Sequence, residues 1–376
     1  MNFAFSDEQE AFRTTLRRFL DERSNSEAVR EAIESDRGHD PEVWRRMAED
    51  LGLQALAIPE AHGGAGFGFL ELVIAFEELG RALAPAPYFS TIALAAGAIV
   101  NAGTEAQKAA LLPSIADGTT IAALALTEPG GGWDADGIGL GYTRTSAGYV
   151  LTGAKALVLD GDRANFFVVA ARCPGTKGTE GITLFTVPAD APGVEIAPRK
   201  ALDLTRGLAD VTFKAVPATL LGTVDAGWAP LEKTLRQASV CLAAESVGGA
   251  QRCLDMAVEY ARIRVQFGRP IGSFQAVKHR AVDMLLEVEG ARAAAYYAAW
   301  AAHEDNPEFT IVAPLAKACC TDAFLAAAAG NIQIHGGIGY TWEHDAHLLY
   351  RRAKANDQLL GDASTHRAKL ADALGI

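Results

Sequence analysis

Two arginines, two glutamines and two phenylalanines fall within Arg264-Val265-Gln266-Phe267-Gly268-Arg269-Pro270-Ile271-Gly272-Ser273-Phe274-Gln275, a stretch too rich in glycine for ordinary helix. Arginine carries a planar fork of donors that matches phosphate geometry. Glutamine adds a donor and an acceptor, and the glycines let a ligand approach the backbone. The chemistry this favours is recognition of a large phosphorylated cofactor; for Arg264 the alternative is an interface ion pair with a carboxylate. Two further stretches carry weaker signals. Gln333-Ile334-His335-Gly336-Gly337-Ile338-Gly339 reads by itself as a helix-ending turn, and Leu126-Thr127-Glu128-Pro129 as a strand end entering a turn.

Stepping from these residues to the chain that must hold them, 376 residues predict two or three domains. The net charge of −12 argues against a nucleic-acid partner, which requires a broad basic face. Apolar stretches such as Thr91 to Val100 are short or interrupted, so no membrane span is predicted. The start, Met1 to Glu8, lacks the basic and apolar regions of a signal peptide, and the five cysteines have neither metal-ligand nor disulfide spacing. A cytoplasmic protein with free thiols is expected.

The first part, 1–119, is predicted helical. Ser6 with Gln9 forms a capping box ahead of the stripe Phe12, Leu16, Phe19 and Leu20, and Asp40-Pro41 starts a helix through Trp44 and Met47. Phe69 to Leu83 and Tyr88 to Ala102 read as buried helices, and Thr104 with Gln107 caps another. Residues 120–226 change period. Runs at 121–126, 149–151, 156–159, 166–171, 182–187 and 211–216, separated by glycine, proline and aspartate, predict an antiparallel β domain of sandwich or barrel type. From 227 to 376 the helical period returns, with long alanine-rich helices at 231–263, 273–303 and 311–335, then 347–356 and 364–374; these predict a four-helix bundle. The fold class is α+β, multidomain: helical domain, β domain, helical bundle.

This order, with Leu126-Thr127-Glu128-Pro129 at the first strand, Arg264-Val265-Gln266-Phe267-Gly268 between two bundle helices and Gln333-Ile334-His335-Gly336-Gly337-Ile338-Gly339 near the end, resembles the acyl-CoA dehydrogenases over nearly the whole chain. The resemblance implies FAD as cofactor, an acyl-CoA thioester as substrate and α,β-desaturation as the reaction. In it a carboxylate removes the proton beside the thioester carbonyl while hydride leaves the next carbon. It also implies a tetramer built by the C-terminal bundles. Arg264, Gln266, Phe267 and Gln275 would then meet the pyrophosphate and adenine end of FAD across a dimer interface. Gln333, Gly336 and Gly337 would line the same region, and Leu126, Thr127 and Glu128 would run beside the flavin ring.

The sequence departs from the family pattern at the reaction centre. The usual base precedes the glycine that follows an Arg-x-Ala-Lys helix; here that helix is Arg351-Arg352-Ala353-Lys354, the glycine is Gly361, and the base position is Leu360. The alternative base position, on the first long bundle helix, is Ala238. Glu245 lies seven residues further, about 20° short of two helical turns and roughly 10 Å along the axis. It is a weak candidate beside a structural pairing with an arginine such as Arg252 or Arg264. Asp362 adjoins Gly361 and is expected to point elsewhere. Trp133 replaces the usual serine, and Leu157 and Leu159 stand where a tryptophan and a threonine usually flank the flavin. Trp133 would stack on the flavin in their place or pack in the core. The chain is similar in these losses to the smaller subunit of actinobacterial heterotetrameric acyl-CoA dehydrogenases acting on sterol side chains, in which a homologous partner carries the base. The alternatives are a self-sufficient homotetramer using Glu245 or another displaced carboxylate, and a structural subunit without enzymatic activity.

Overall fold

The computed structural model describes residues 5–376 apart from Asp36 and Ala147. The chain opens with α1 (Asp7–Arg23), where Ser6 Oγ accepts from Gln9 N while Gln9 Oε1 accepts from Ser6 N, the predicted capping box. Next comes α2 (Ser26–Glu34), a helix not anticipated above, capped by the Asn25 side chain. In α3 (Pro41–Glu49) Asp40 caps and proline takes the first position, burying Trp44 and Met47. Every residue of α4 (Phe69–Arg81) from Leu72 to Gly80 is buried. The single helix expected over 88–102 divides: Phe89–Ala96 is π-helical and continues as α5 (Gly97–Ala102). The domain closes with α6 (Glu105–Ala116), again behind a capping box, Thr104 with Gln107.

Seven strands follow: β1 (Ala122–Ala125), β2 (Gly141–Thr145), β3 (Gly148–Leu159), β4 (Phe166–Arg172), β5 (Ile182–Pro188), β6 (Val194–Pro198) and β7 (Leu208–Leu221). Their order is β1-β4-β2-β3-β7-β5, and β5 pairs back to β4, so the sheet closes on itself as a barrel with β6 on the flank of β7. Leu151, Phe167, Phe185 and Phe213 fill its interior. Two runs expected as separate strands, 149–151 and 156–159, are one strand, β3, whose pairing with β7 shifts register at Gly153 and again between Lys155 and Val158. Such irregularities bend a strand without ending it.

The last part is organised on α7 (Trp228–Ile263), 36 residues without a break. The tip hairpin β8 (Val265–Gln266) and β9 (Arg269–Pro270) separates it from α8 (Gln275–His303); α9 (Phe309–His335), α10 (Ala346–Gln358) and α11 (Ala363–Leu374) complete the bundle. Gly248 and Gly249 sit inside this unbroken helix. A Cβ on Gly248 would lie 1.8 Å from the Glu77 carbonyl oxygen on α4, and one on Gly249 would lie 2.3 Å from the Phe324 ring on α9. Their small size serves helix contact, leaving no space there for a bulky ligand. Among the described residues one helical stretch, 309–340, is long and apolar enough to cross a membrane by length and composition, where no span was expected. Some 67% of its most apolar window is buried within the chain, as befits a core helix. All five cysteines are free.

Candidate functional site

Helix α7 stops because Arg264 leaves the helical region (φ −75°, ψ 121°), and the chain turns back with Val265 opposite Pro270 and Gln266 opposite Arg269. The two residues at the tip, Phe267 and Gly268, both take positive φ, at 52° and 77°. A two-residue hairpin with two left-handed positions has the twist of its strands. Glycine meets that demand easily; phenylalanine does not. Phe267 is nevertheless there, 91% exposed, its ring edge-on to Phe274, over which the Arg269 guanidinium sits at 4.2 Å. The side chains of Arg264, Gln266 and Gln275 are exposed, and among the described residues none of them has a hydrogen-bond or ion-pair partner.

The second motif ends α9. Gly336 turns the chain with φ 66°, both Gly336 and Gly337 face open space, and Gln333 is exposed. His335 between them stacks on Tyr260 of α7 at 4.3 Å, one helical turn before Arg264, which sets this turn alongside the hairpin. Exposed donors without internal partners, a guanidinium and open glycine backbone are chemically a fitting donor set for the pyrophosphate and adenosine of FAD.

The third motif is committed internally. Thr127, buried, donates its hydroxyl to the Ala156 carbonyl. Glu128 accepts from Lys155 Nζ at 2.6 Å and from the backbone N–H groups of Gly139 and Leu140, folding the 130–140 loop back onto the barrel. Lys155 is wholly buried and also donates to the Leu126 carbonyl; burial, only partly offset by Glu128, pushes its pKa down to about 8. Leu157 sits on the β3 irregularity with φ 53° and half exposed, while Leu159 is buried. Neither offers a stacking face or a hydroxyl. The chain's own residues therefore fit the adenosine end of FAD and do not reproduce the usual surroundings of a flavin ring.

The base positions are aliphatic and enclosed. Leu360 lies between α10 and α11 in the left-handed region, φ 63°, only 2% exposed. Its turn is clamped from two sides: His366 Nε2 is 3.0 Å from the Leu360 carbonyl, and Lys317 Nζ donates to the carbonyls of Gly361 and Asp357 at 2.6 and 2.8 Å. Asp362 turns away to cap α11 through Thr365 N and Oγ1, both at 2.7 Å. Ala238 is fully buried in α7. Glu245 is buried among cations: Arg352 Nη1 donates to Oε1 at 2.9 Å, Asn356 Nδ2 to the same oxygen at 3.2 Å, and Arg206 binds Oε2. The arginines suggested by sequence, Arg252 and Arg264, are not its partners. Arg352 also holds Asp203 at 2.6 Å. Burial alone would raise the Asp203 pKa, but the charges of Arg352 and Arg206 and the hydrogen bonds of Thr205 outweigh it and keep the carboxylate below its ordinary value.

A cavity of about 310 Å³ opens beside Leu360, walled by Trp133, Trp228, Leu235, Pro314 and His366. Trp133 is half-buried against the core and faces this space. The carboxylates that line it, Asp134, Glu232 and Asp372, stand at its exposed rim. Sequence reasoning missed Arg206, Asn356, Lys317 and His366. Each is a lone polar residue in a helix or loop, with nothing local to mark it.

Comparison with known proteins covers the whole of this architecture. Residues 6–119, 123–216 and 225–375 match the family models described as the N-terminal, middle and C-terminal domains of acyl-CoA dehydrogenase. "Acyl-CoA dehydrogenase IpdE2" of Mycolicibacterium smegmatis is 36% identical over 358 residues, 95% of each chain. Among solved structures, the Tcur3481-Tcur3483 steroid ACAD has a TM-score of 0.88 at 33% identity over 98% of each chain. The ChsE4-ChsE5 complex from Mycobacterium tuberculosis has a TM-score of 0.90 at 29% identity, covering 100% of this chain and 99% of that one.

Proposed function

Because the chain belongs to the acyl-CoA dehydrogenase family, whose members are FAD-dependent oxidoreductases, we propose that it is the base-lacking subunit of an asymmetric complex. In this reading a homologous partner carries the catalytic carboxylate, and the two together desaturate an acyl-CoA thioester. Arg264, Gln266, Phe267 and Gln275 complete the partner's FAD site, with Gln333, Gly336 and Gly337 alongside. FAD, when bound, supplies the hydride acceptor. This chain's own residues supply donors to its phosphates and an enclosing surface. A sterol-derived acyl group and a cytoplasmic location are the finer expectations, the first supported by likeness to a steroid ACAD.

The observation that carries the reading is a contrast in one chain. The phosphate donors stand exposed without internal partners, whereas Leu360 and Ala238 cannot take a proton and both oxygens of Glu245 are engaged. A general base must reach its proton within about 3 Å. The test is purification of the chain alone and with a neighbouring homologue, recording visible spectrum and acyl-CoA dehydrogenase activity. Colourless, inactive protein alone and yellow, active complex are expected; yellow, active protein alone would overturn the reading. In the complex, Arg264→Ala is expected to release FAD, and unchanged flavin content would refute the assignment of the hairpin.

A further inference from the structure

Arg252, on α7, is the guanidinium that the fold leaves unused between the helical domain and the bundle. Among the described residues it is half-buried and has no hydrogen-bond or ion-pair partner. Its neighbours in that interface are all engaged: Arg13 holds Glu77 at 2.8 Å, Arg17 holds Glu78 at 2.6 Å, and Arg292 also binds Glu77. Its own helix offers nothing in return. The positions three and four residues away, where helical side chains meet, are Gly248, Gly249, Asp255 and Met256, and Asp255 accepts from Gln251 Nε2 at 2.8 Å. Arg252 lines instead a cavity of about 220 Å³, where α1, α2 and the end of α4 meet α7 and α10. That is the space of about seven water molecules. The apolar part of its wall is Val29, Leu83, Met256, Leu348 and Leu349. Both carboxylates that line it are committed: Asp21 accepts from Arg81 Nη1 at 2.9 Å, and Asp345 from Arg30 Nη2 at 2.7 Å and Ser26 Oγ at 2.8 Å. Asn25 turns its carbonyl oxygen to Ala28 N, which leaves its NH₂ group as a donor. The Ser24 hydroxyl is enclosed in the wall and does not reach the space. Counting Arg30, three arginines meet two carboxylates, so one positive charge is left over in a chain of net charge −12.

We propose that this cavity binds a small aliphatic carboxylate. The free fork of Arg252 matches a carboxylate with two parallel N–H donors, Arg81 and Asn25 stand alongside, and the apolar wall takes a few carbons. The site is distinct from those described above. Arg252 lies 12 residues before Arg264 and 14 after Ala238, about 18 and 21 Å along the helix axis. The inference goes beyond the subunit reading and does not depend on it. A carboxylate held here touches α1, α2 and α4 on one side and α7 and α10 on the other, so its binding stabilises the joint between the helical domain and the bundle.

The experiment is a saturation-transfer NMR titration of the full chain with sodium butyrate and with butyramide, and with inorganic phosphate as competitor, for wild type, Arg252→Gln and Met256→Trp. Butyrate is expected to bind wild type with a Kd of about 1 mM. Butyramide has the shape without the charge, and phosphate the charge without the hydrocarbon; each should bind at least about tenfold more weakly. Arg252→Gln removes the free fork and should weaken butyrate by at least about tenfold. Since Arg252 pairs with nothing in the fold, the variant should melt near wild type. Met256→Trp fills the apolar wall and should abolish binding while every charge stays in place. In wild type, butyrate should also raise the melting temperature above that in sodium chloride of equal ionic strength. Absence of saturation transfer to butyrate in wild type, equal affinity for butyramide, or unchanged affinity in Arg252→Gln or Met256→Trp overturns the proposal. Phosphate binding as tightly as butyrate overturns the assignment to a carboxylate with a hydrocarbon part. None of these outcomes bears on the flavin content of the complex, so the subunit reading is tested separately.

Discussion

His366 exposes the chain to acid. Its pKa is about 4 in the folded protein against an ordinary 6.5, so the folded state prefers the neutral ring. The stability this confers is complete above pH 6.5 and is lost as pH falls from 6.5 to about 4, by on the order of 3 kcal/mol in full. His39, His335, His344 and His347 are shifted downward as well, chiefly by burial, and add to the same slope. Urea unfolding of wild type between pH 7 and 4 should show stability falling along this window, and His366→Gln should flatten the slope. An unaltered slope in the variant would remove His366 from the account. Glu245 invites the complementary test at the same scale. If it is structural, Glu245→Gln lowers the melting temperature and leaves the turnover of the complex near that of wild type; loss of turnover without loss of stability would restore it as a base.

At the scale of elements, α7 is the axis against which α4, α8 and α9 are packed, and its two glycines set how closely. Gly248→Ala drives a methyl group into the backbone of α4 at Glu77. Main chain cannot move aside as a side-chain tip can, so a loss of at least about 2 kcal/mol is expected, measurable as a lower midpoint in thermal melts. Most helices were legible because their signals are local: Ser6 with Gln9, Asp40 with Pro41, and Thr104 with Gln107 each fix a start within one turn. The misses have physical causes. The bend in β3 at Gly153 looks in sequence like the end of a strand, and the π-helical widening of 89–96 depends on its packing, which no periodicity reports. The hairpin at Arg264 was legible as a turn because Gly268, Pro270 and Gly272 fall within a few residues of one another. The enclosure of Glu245 was not, since its partners Arg206 and Arg352 lie 39 and 107 residues away.

Across the whole molecule, that enclosure joins the three parts of the chain. Asp203, Thr205 and Arg206 come from the loop before β7, Glu245 from α7, and Arg352 and Asn356 from α10; Arg206 also lies over the Phe89 ring of the helical domain. A buried charge deprived of its partner is strongly destabilising. Arg352→Met would strand Asp203 and weaken the hold on Glu245, and is expected to cost about 3–5 kcal/mol. It should also loosen the coupling between the three parts, which calorimetry would register as a lower ratio of van't Hoff to calorimetric enthalpy than in wild type. A single transition of unchanged midpoint would show the network to be incidental.

Phe267 carries a consequence for how such a subunit lives in a cell. A large aromatic ring held at a hairpin tip, 91% in water and in a backbone conformation it does not favour, is well used only when another surface covers it. Before assembly it is an adhesive spot on a newly made polypeptide. Synthesis in excess of its counterpart would then leave orphan copies prone to self-association and to capture by chaperones and proteases. Under the proposed assembly with a homologous partner, matched production of the two chains would follow, and Phe267→Ser should lengthen the soluble lifetime of the orphan chain while impairing its assembly.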